Sequence, residues 1–209
     1  MTIPLRRLLV LALLPLAVAA CRPRATGMSS LPASGELDTF EDGNTESAAG
    51  ATWKAIHEGT EGVTASLGVQ PDGFRSKAYH LVVNGFVPPE AGQRALMGAR
   101  AALASDADGS EHSVDVSAFS KVGLALKGTP GTYVVQLGVN QPDGSILPYN
   151  AYVEGTPNWT EFLLSLADFK YDSGTTPQAW SGGAVRYVAV YAAGTGDITF
   201  ELDDLRFVP

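Results

Sequence analysis

Much of this chain consists of short runs in which apolar and polar residues alternate, and residues typical of turns separate these runs. Lys121–Lys127 alternates in this way, and Thr132–Asn140 has two apolar faces interrupted by Gln136. The segment 141–144, Gln-Pro-Asp-Gly, then predicts a turn. Further strands are predicted at Asn150–Val153, Trp159–Leu164, Val185–Tyr191 and Asp197–Val208. Short strands at this spacing predict an all-β fold in which two antiparallel sheets stack as a β-sandwich.

The first 20 residues have the pattern of an export signal. Arg6 and Arg7 precede an apolar run, 8–20, which is shorter than the roughly 20 residues needed to span a bilayer. The run ends in Val18-Ala19-Ala20-Cys21, which resembles the lipobox at which bacterial lipoproteins are lipidated on cysteine. The alternative is an ordinary signal peptide followed by an incidental cysteine. Because charge, apolar length, small residues and the sole cysteine agree, we predict a signal peptide at 1–20 and lipidation of Cys21.

A lipid on Cys21 would anchor the protein to a membrane without spanning it. Arg22 stands where an Asp, in many Gram-negative bacteria, signals retention in the inner membrane, so we expect an outer-membrane lipoprotein of the cell envelope. Residues 21–36 comprise this cysteine and a stretch rich in Pro, Gly, Ser and Ala, which predicts a flexible tether. Residues 37–209 then form one β-sandwich domain, because no repeat or second boundary interrupts them.

Three phrases lie at the beginning, middle and end of the segment 39–208. They are 40–44 (Phe-Glu-Asp-Gly-Asn), 114–119 (Val-Asp-Val-Ser-Ala-Phe) with the strand after it, and 200–207 (Phe-Glu-Leu-Asp-Asp-Leu-Arg-Phe). Together they resemble galactose-binding-type jelly rolls, in particular the family-eleven carbohydrate-binding modules and the complex I intermediate-associated domain. The resemblance implies a strand at Gly98–Leu103, although the apolar residues of 91–104 recur at helical spacing.

Four acidic residues stand near the two ends of the predicted domain. Glu41 and Asp42 open it, Asp203 and Asp204 close it, and the first and last strands of a sandwich often lie side by side. Carboxylates brought together repel one another, and calcium, which takes six to eight oxygen ligands, removes that repulsion. We therefore predict a structural calcium ion held by Glu41, Asp203 and Asp204. The alternative is that Glu41 and Asp204 pair with Arg206 or cap backbone amides.

The resemblance implies that a glycan lies along the concave face of one sheet, against aromatic rings and amides. If Val188 and Val190 point into the core, Tyr187 and Tyr191 point away from it. The ligand-binding residues that we predict are Tyr187, Tyr191, Gln136, Asn140, Tyr152 and Trp180. The alternative is that these tyrosines pack under a loop, and a slip of one residue in the strand would invert every assignment.

The sequence contains no recognisable catalytic motif. His57, His80 and His112 have no metal-ligand spacing and no nucleophile motif beside them, so we predict that the protein is not an enzyme. The net charge of −8 becomes more negative when Arg6 and Arg7 are removed, which argues against a nucleic acid partner.

Two functions agree with these sequence features. The first is an envelope lipoprotein that binds a polysaccharide or other glycan without cleaving it. The second is a structural or assembly lipoprotein whose sandwich docks a protein partner. A glycan hydrolase or lyase is a third alternative, because 22 acidic residues offer many carboxylate pairs.

Overall fold

The computed structural model describes residues 29–58, 61–89, 96–171, 178–180 and 184–209. Its strands, in chain order, are β1 (Ser29–Ser30), β2 (Glu36–Asp38), β3 (Lys54–Glu58), β4 (Thr64–Pro71), β5 (Tyr79–Val87), β6 (Leu96–Ala102), β7 (Ala104–Ser105), β8 (Val114–Asp115), β9 (Lys121–Gly128), β10 (Gly131–Asn140), β11 (Ile146–Gly155), β12 (Thr160–Ser165), β13 (Lys170–Tyr171), β14 (Gln178–Ala179), β15 (Ala184–Ala193) and β16 (Gly196–Val208). 3₁₀ turns occupy Phe74–Ser76 and Leu166–Asp168. Within the described ranges no helix is long and apolar enough to cross a bilayer.

The strands form two main antiparallel sheets. The larger sheet has the order β14-β13-β11-β10-β15-β6-β3, with β8 paired to the end of β15. The smaller sheet has the order β12-β9-β16-β5-β4, with β2 paired to the end of β16. The two layers enclose one main apolar core, which confirms the predicted all-β two-sheet sandwich.

The core is built from alternate residues of the strands, as the sequence pattern predicts. Leu124 and Leu126 of β9, and Val135 and Leu137 of β10, are fully buried between the sheets. The largest fully buried side chains are Trp53, Tyr133, Phe40, Phe169 and Phe200. Burial of these apolar side chains is the main favourable contribution to folding of the sandwich.

The segment with helical spacing is a strand, as the resemblance implied. β6 occupies Leu96–Ala102 and pairs with β15 and β3 on its two sides. A Cβ atom at Gly98 would lie 2.1 Å from the carbonyl oxygen of Val190, so only glycine fits there. The helical spacing of the alanines therefore does not indicate a helix. Small residues occur here because the neighbouring strand β15 approaches this strand closely.

The beginning and the end of the sandwich lie side by side. β2 pairs with β16, which brings Asp38 opposite Leu205 and Glu36 opposite Arg206. β1, which lies inside the predicted tether, pairs with β7, and Leu31 is buried against the core. Part of the predicted tether therefore lies against the sandwich. The predicted signal peptide and Cys21 are outside the described residues.

Candidate functional site

The outer face of the larger sheet carries several of the residues predicted to bind a ligand. Val188 and Val190 belong to the main core, whereas Tyr187 and Tyr191 lie in a separate small cluster on the opposite side of the sheet. The pairing of β10 with β15 places Gln136 beside Ala189, on the side of the tyrosines. We call this outer face, from β3 across to β13, the large-sheet face.

A chain of hydrogen bonds crosses three strands of this face. The hydroxyl of Tyr187 donates to Oε1 of Gln136 at 3.0 Å, and Nε2 of Gln136 donates to Oδ1 of Asn150 at 3.0 Å. A Cβ atom at Gly138 would lie 2.1 Å from Cε1 of Tyr187, so the tyrosine ring rests directly over the glycine. Gly138 thereby sets the position of the hydroxyl that begins this chain of hydrogen bonds.

Tyr191 lies on the large-sheet face but is almost fully covered. It is 2% exposed, packs with Val134 and Ile56, and donates its hydroxyl to Oε1 of Glu58 at 3.0 Å. Burial raises the pKa of the Tyr191 hydroxyl, and burial likewise raises the pKa of Tyr187. Both hydroxyls therefore remain protonated hydrogen-bond donors. Neighbouring side chains of the same face cover the ring of Tyr191, and its contact with a ligand stays a prediction.

Among the described residues, Tyr152 is the most exposed large hydrophobic residue of the larger sheet, with a relative accessibility of 64%. It stands in β11 directly opposite Val134, which in turn lies opposite Tyr191. Asn150, two residues earlier on the same strand, belongs to the same face. An exposed ring beside a row of amides can stack on an apolar surface while the amides bond hydroxyl groups.

Two predicted ligand-binding residues, Asn140 and Trp180, are outside this row of hydrogen bonds. Asn140 ends β10 on the same side of the strand as Gln136, because Val135, Leu137 and Val139 face the core, and its buried Oδ1 has no hydrogen-bond partner within the described residues. Trp180 packs against the main core, and its backbone N–H donates to the carbonyl oxygen of Phe169 at 3.2 Å. Contact of either residue with a ligand stays a prediction.

A charged cluster at the other end of the face was missed by sequence reasoning. The guanidinium of Arg100 lies 4.2 Å from the centroid of the Tyr187 ring and forms an ion pair with Glu111. Glu111 also accepts contacts from Lys54 at 3.5 Å and from Arg186 at 3.7 Å. We call Lys54, Arg100, Glu111 and Arg186 the Glu111 cluster. They come from separate segments of the chain, so their sequence spacing gives no signal of their contact.

The acidic residues predicted to bind calcium lie around the segment 73–78. Asp203 is fully buried, and its two oxygens accept hydrogen bonds from the backbone N–H groups of Phe74 at 2.8 Å and Asp204 at 2.7 Å. Burial raises its pKa to about 6. Glu41 accepts from the backbone N–H of Ala78 at 3.2 Å.

These contacts are those of the alternative to calcium that the sequence left open. Asp204 pairs with Lys77, and Arg206 Nη1 lies 3.8 Å from Asp204 Oδ2. Within the described residues, no three acidic, histidine or cysteine side chains are grouped as ligands of one metal ion. Calcium binding by Glu41, Asp203 and Asp204 stays a prediction from the sequence.

Comparisons with known proteins bear on the fold. No protein-family model matches the sequence, and no curated protein matches it. Among solved structures, a family 11 carbohydrate-binding module from Clostridium thermocellum in complex with a β-1,3-1,4-mixed-linked tetrasaccharide is similar over 83% of this chain and 94% of its own, with a TM-score of 0.61 and 13% identity. The family 30 module of the Clostridium thermocellum cellulase Cel9D-Cel44B matches over 74% and 90% of the two chains, with a TM-score of 0.52 and 12% identity.

A third structure of the same kind is the CBM22-1 xylan-binding domain from Paenibacillus barcinonensis Xyn10C. It matches over 84% of this chain and 98% of its own, with a TM-score of 0.50 and 15% identity. At such identities the likeness shows the fold. The protein is therefore a jelly-roll β-sandwich that resembles the family 11 carbohydrate-binding modules.

Proposed function

We propose that the protein binds carbohydrate, without cleaving it, on the large-sheet face. The observation that carries this proposal is the hydrogen-bonded row of Tyr187, Gln136 and Asn150, with the exposed ring of Tyr152 beside it. Sugars offer apolar faces that stack on aromatic rings and hydroxyl groups that pair with amides. The row supplies both kinds of contact on one surface.

The likeness to carbohydrate-binding modules supports this proposal. One of the similar structures contains a bound tetrasaccharide, and another is named as a xylan-binding domain. A shared fold alone leaves the function open, because unrelated functions occur on one fold. The residues of the face therefore carry more weight than the likeness.

The test is a binding measurement on the purified protein with a panel of neutral and acidic oligosaccharides. Replacement of Tyr152 by alanine is expected to weaken binding about tenfold, which corresponds to about 1.4 kcal/mol, because stacking is lost. Leu163→Ala is the matched control, since Leu163 is a similarly exposed apolar residue, at 54%, on the smaller sheet. If no glycan bound, or if both variants weakened binding equally, the proposal would fail and a protein partner would become the better hypothesis.

We further propose that this domain acts at the cell envelope, held by a lipid on Cys21 and facing either side of the outer membrane. The support comes from the sequence of 1–22, where basic residues, an apolar run and a sole cysteine stand in order. A lipid anchor would keep the large-sheet face near envelope or surface polysaccharide.

A further inference from the structure

The Glu111 cluster combines three cations with one carboxylate. The side chain of Glu111 is only 15% exposed, and it lies within 3.5 Å of Lys54 and 3.7 Å of Arg186, in addition to its pair with Arg100. The chain as a whole has a net charge of −8. This part of the large-sheet face therefore has the opposite sign to the rest of the protein.

The hydrogen-bond donors of the cluster also exceed its acceptors. Two guanidinium groups and an ammonium offer many more N–H groups than one carboxylate can accept. The Nε atoms of Arg100 and Arg186 are buried and have no hydrogen-bond partner within the described residues. A second anionic acceptor, or a better placed one, would satisfy donors that Glu111 leaves unpaired.

The cluster is continuous with the row of amides on the same face. Strand pairing places Lys54 opposite Arg100, Arg100 opposite Ala189, and Ala189 opposite Gln136. The same line continues through Asn150 to Lys170 on β13. Arg100 and Lys170 are four strand spacings apart, or about 19 Å, which is long enough for a short oligosaccharide lying across the strands.

Open space adjoins the cluster. A surface cavity of about 130 Å³ is lined by Lys54 and Glu111 together with Thr52 and Ser105. The acid on its other wall, Asp106, is paired with Nε2 of His112 at 2.6 Å. A group that entered the cavity could contact Lys54 and Glu111, since both line it.

We propose that the glycan bound on this face is acidic, and that a uronic acid carboxylate replaces Glu111 as the partner of Arg100 and Lys54. The inference rests on the proposed function, whose ligand class it specifies. Glu111 then acts as an internal stand-in for the ligand: it keeps the guanidinium of Arg100 over the Tyr187 ring while the face is empty. Replacement leaves Arg100 and Lys54 paired with the ligand carboxylate, and the displaced Glu111 keeps Arg186 as its cationic partner.

The experiment compares matched ligands on the purified protein. Oligogalacturonate, oligoglucuronate and oligomannuronate are each measured by calorimetry beside their carboxyl-reduced forms, which keep the linkage and lose the charge. We expect the bound acidic form to have at least tenfold higher affinity than its reduced form, and this advantage to shrink as salt rises. Equal affinity for both forms, or binding of neutral glycans alone, would overturn the inference and leave the proposed function intact. Failure of every acidic and neutral glycan would remove both.

Variants separate a binding role from a structural one. Lys54→Gln removes a side chain that is 59% exposed, so the fold should be retained, and uronate affinity should fall threefold or more. Lys121→Gln, at an exposed lysine of the smaller sheet, is the matched control and should change nothing. Glu111→Gln should strengthen uronate binding, because the competing carboxylate is gone, with thermal unfolding as the check on folding. Unchanged or weaker uronate binding by folded Glu111→Gln would contradict the replacement.

Discussion

The indole Nε1 of Trp53 donates a 2.7 Å hydrogen bond to Oδ2 of Asp38, and both side chains are buried. The other oxygen of Asp38 accepts from the backbone N–H of Phe40 at 2.7 Å. Burial raises the pKa of Asp38 from 3.8 to about 7 despite these two bonds. The carboxylate joins β2 to the start of β3, so its protonation state bears on the stability of the sandwich.

Stability is therefore expected to depend on pH through Asp38. Because its pKa in the folded state lies above the unfolded value of 3.8, its contribution is fully present below about pH 4 and is lost as the pH rises through 7. Asp203, with a pKa of about 6, has the same sign. Each unit of difference corresponds to about 1.4 kcal/mol. Urea unfolding measured between pH 4 and pH 8 checks this prediction.

Asp38→Asn is expected to flatten that dependence, because the titrating group is gone. The variant loses one acceptor, since an amide cannot accept from both Trp53 and Phe40. Its stability at pH 4 should therefore fall, whereas its slope between pH 4 and 7 should be smaller than that of the parent. Asp197→Asn, at an exposed position of β16, is the control. Parallel slopes for the parent and Asp38→Asn would show that Asp38 does not titrate in this range.

The calcium ion predicted from Glu41, Asp203 and Asp204 is tested by thermal unfolding. Besides burial, the charges of Asp42 and Asp203 raise the pKa of Asp38, so carboxylates repel one another at this corner, and a cation would relieve that repulsion. We expect calcium to raise the melting temperature, a chelator to lower it, and Glu41→Gln to abolish the difference. If the unfolding curves with and without chelator were identical, the calcium prediction would be wrong. The backbone amides and Lys77 would then be the partners that stabilise these acids.

The layers of the fold could be predicted because side chains alternate along a strand. The two faces of Val185–Tyr191 were predicted correctly. The observed strand, Ala184–Ala193, begins slightly earlier and ends slightly later than the predicted one. β4 was not predicted, since Thr64–Pro71 is half-exposed and contains small and polar residues that weaken the pattern. β6 was predicted only through the resemblance, because its alanines suit either a helix or a strand.

The candidate site could be predicted only in part. Gln136 and Tyr187 were both among the predicted ligand-binding residues, and a hydrogen bond joins their side chains. The covering of Tyr191 could not be foreseen, because Ile56 of β3 contributes to it from far away in the sequence. The same limit applies to the pair of Arg100 and Glu111, since a single sequence gives no information on contacts between separate segments.

Lipidation of Cys21 is tested in cells that are supplied with a labelled fatty acid. The parent chain should take up the label and sediment with membranes, whereas Cys21→Ser should remain unlabelled and leave the membrane fraction. Ser29→Ala, outside the lipobox pattern, is the control. Label on Cys21→Ser, or an unlabelled parent, would contradict the predicted anchor.

Gly138→Ala tests whether the position of the Tyr187 ring governs binding. The added methyl group would lie 2.1 Å from Cε1 of Tyr187, so the ring must move and its bond to Gln136 is broken. We expect a loss of stability of about 1–3 kcal/mol, as for other overpacked sites, and a fall in glycan affinity. Gly68→Ala is the matched control, because no atom lies within 4 Å of a Cβ there, on an edge strand of the smaller sheet. Glycan affinity unchanged in folded Gly138→Ala would mean that the hydroxyl of Tyr187 does not organise the row, and Tyr152 and Asn150 alone would then carry the contact.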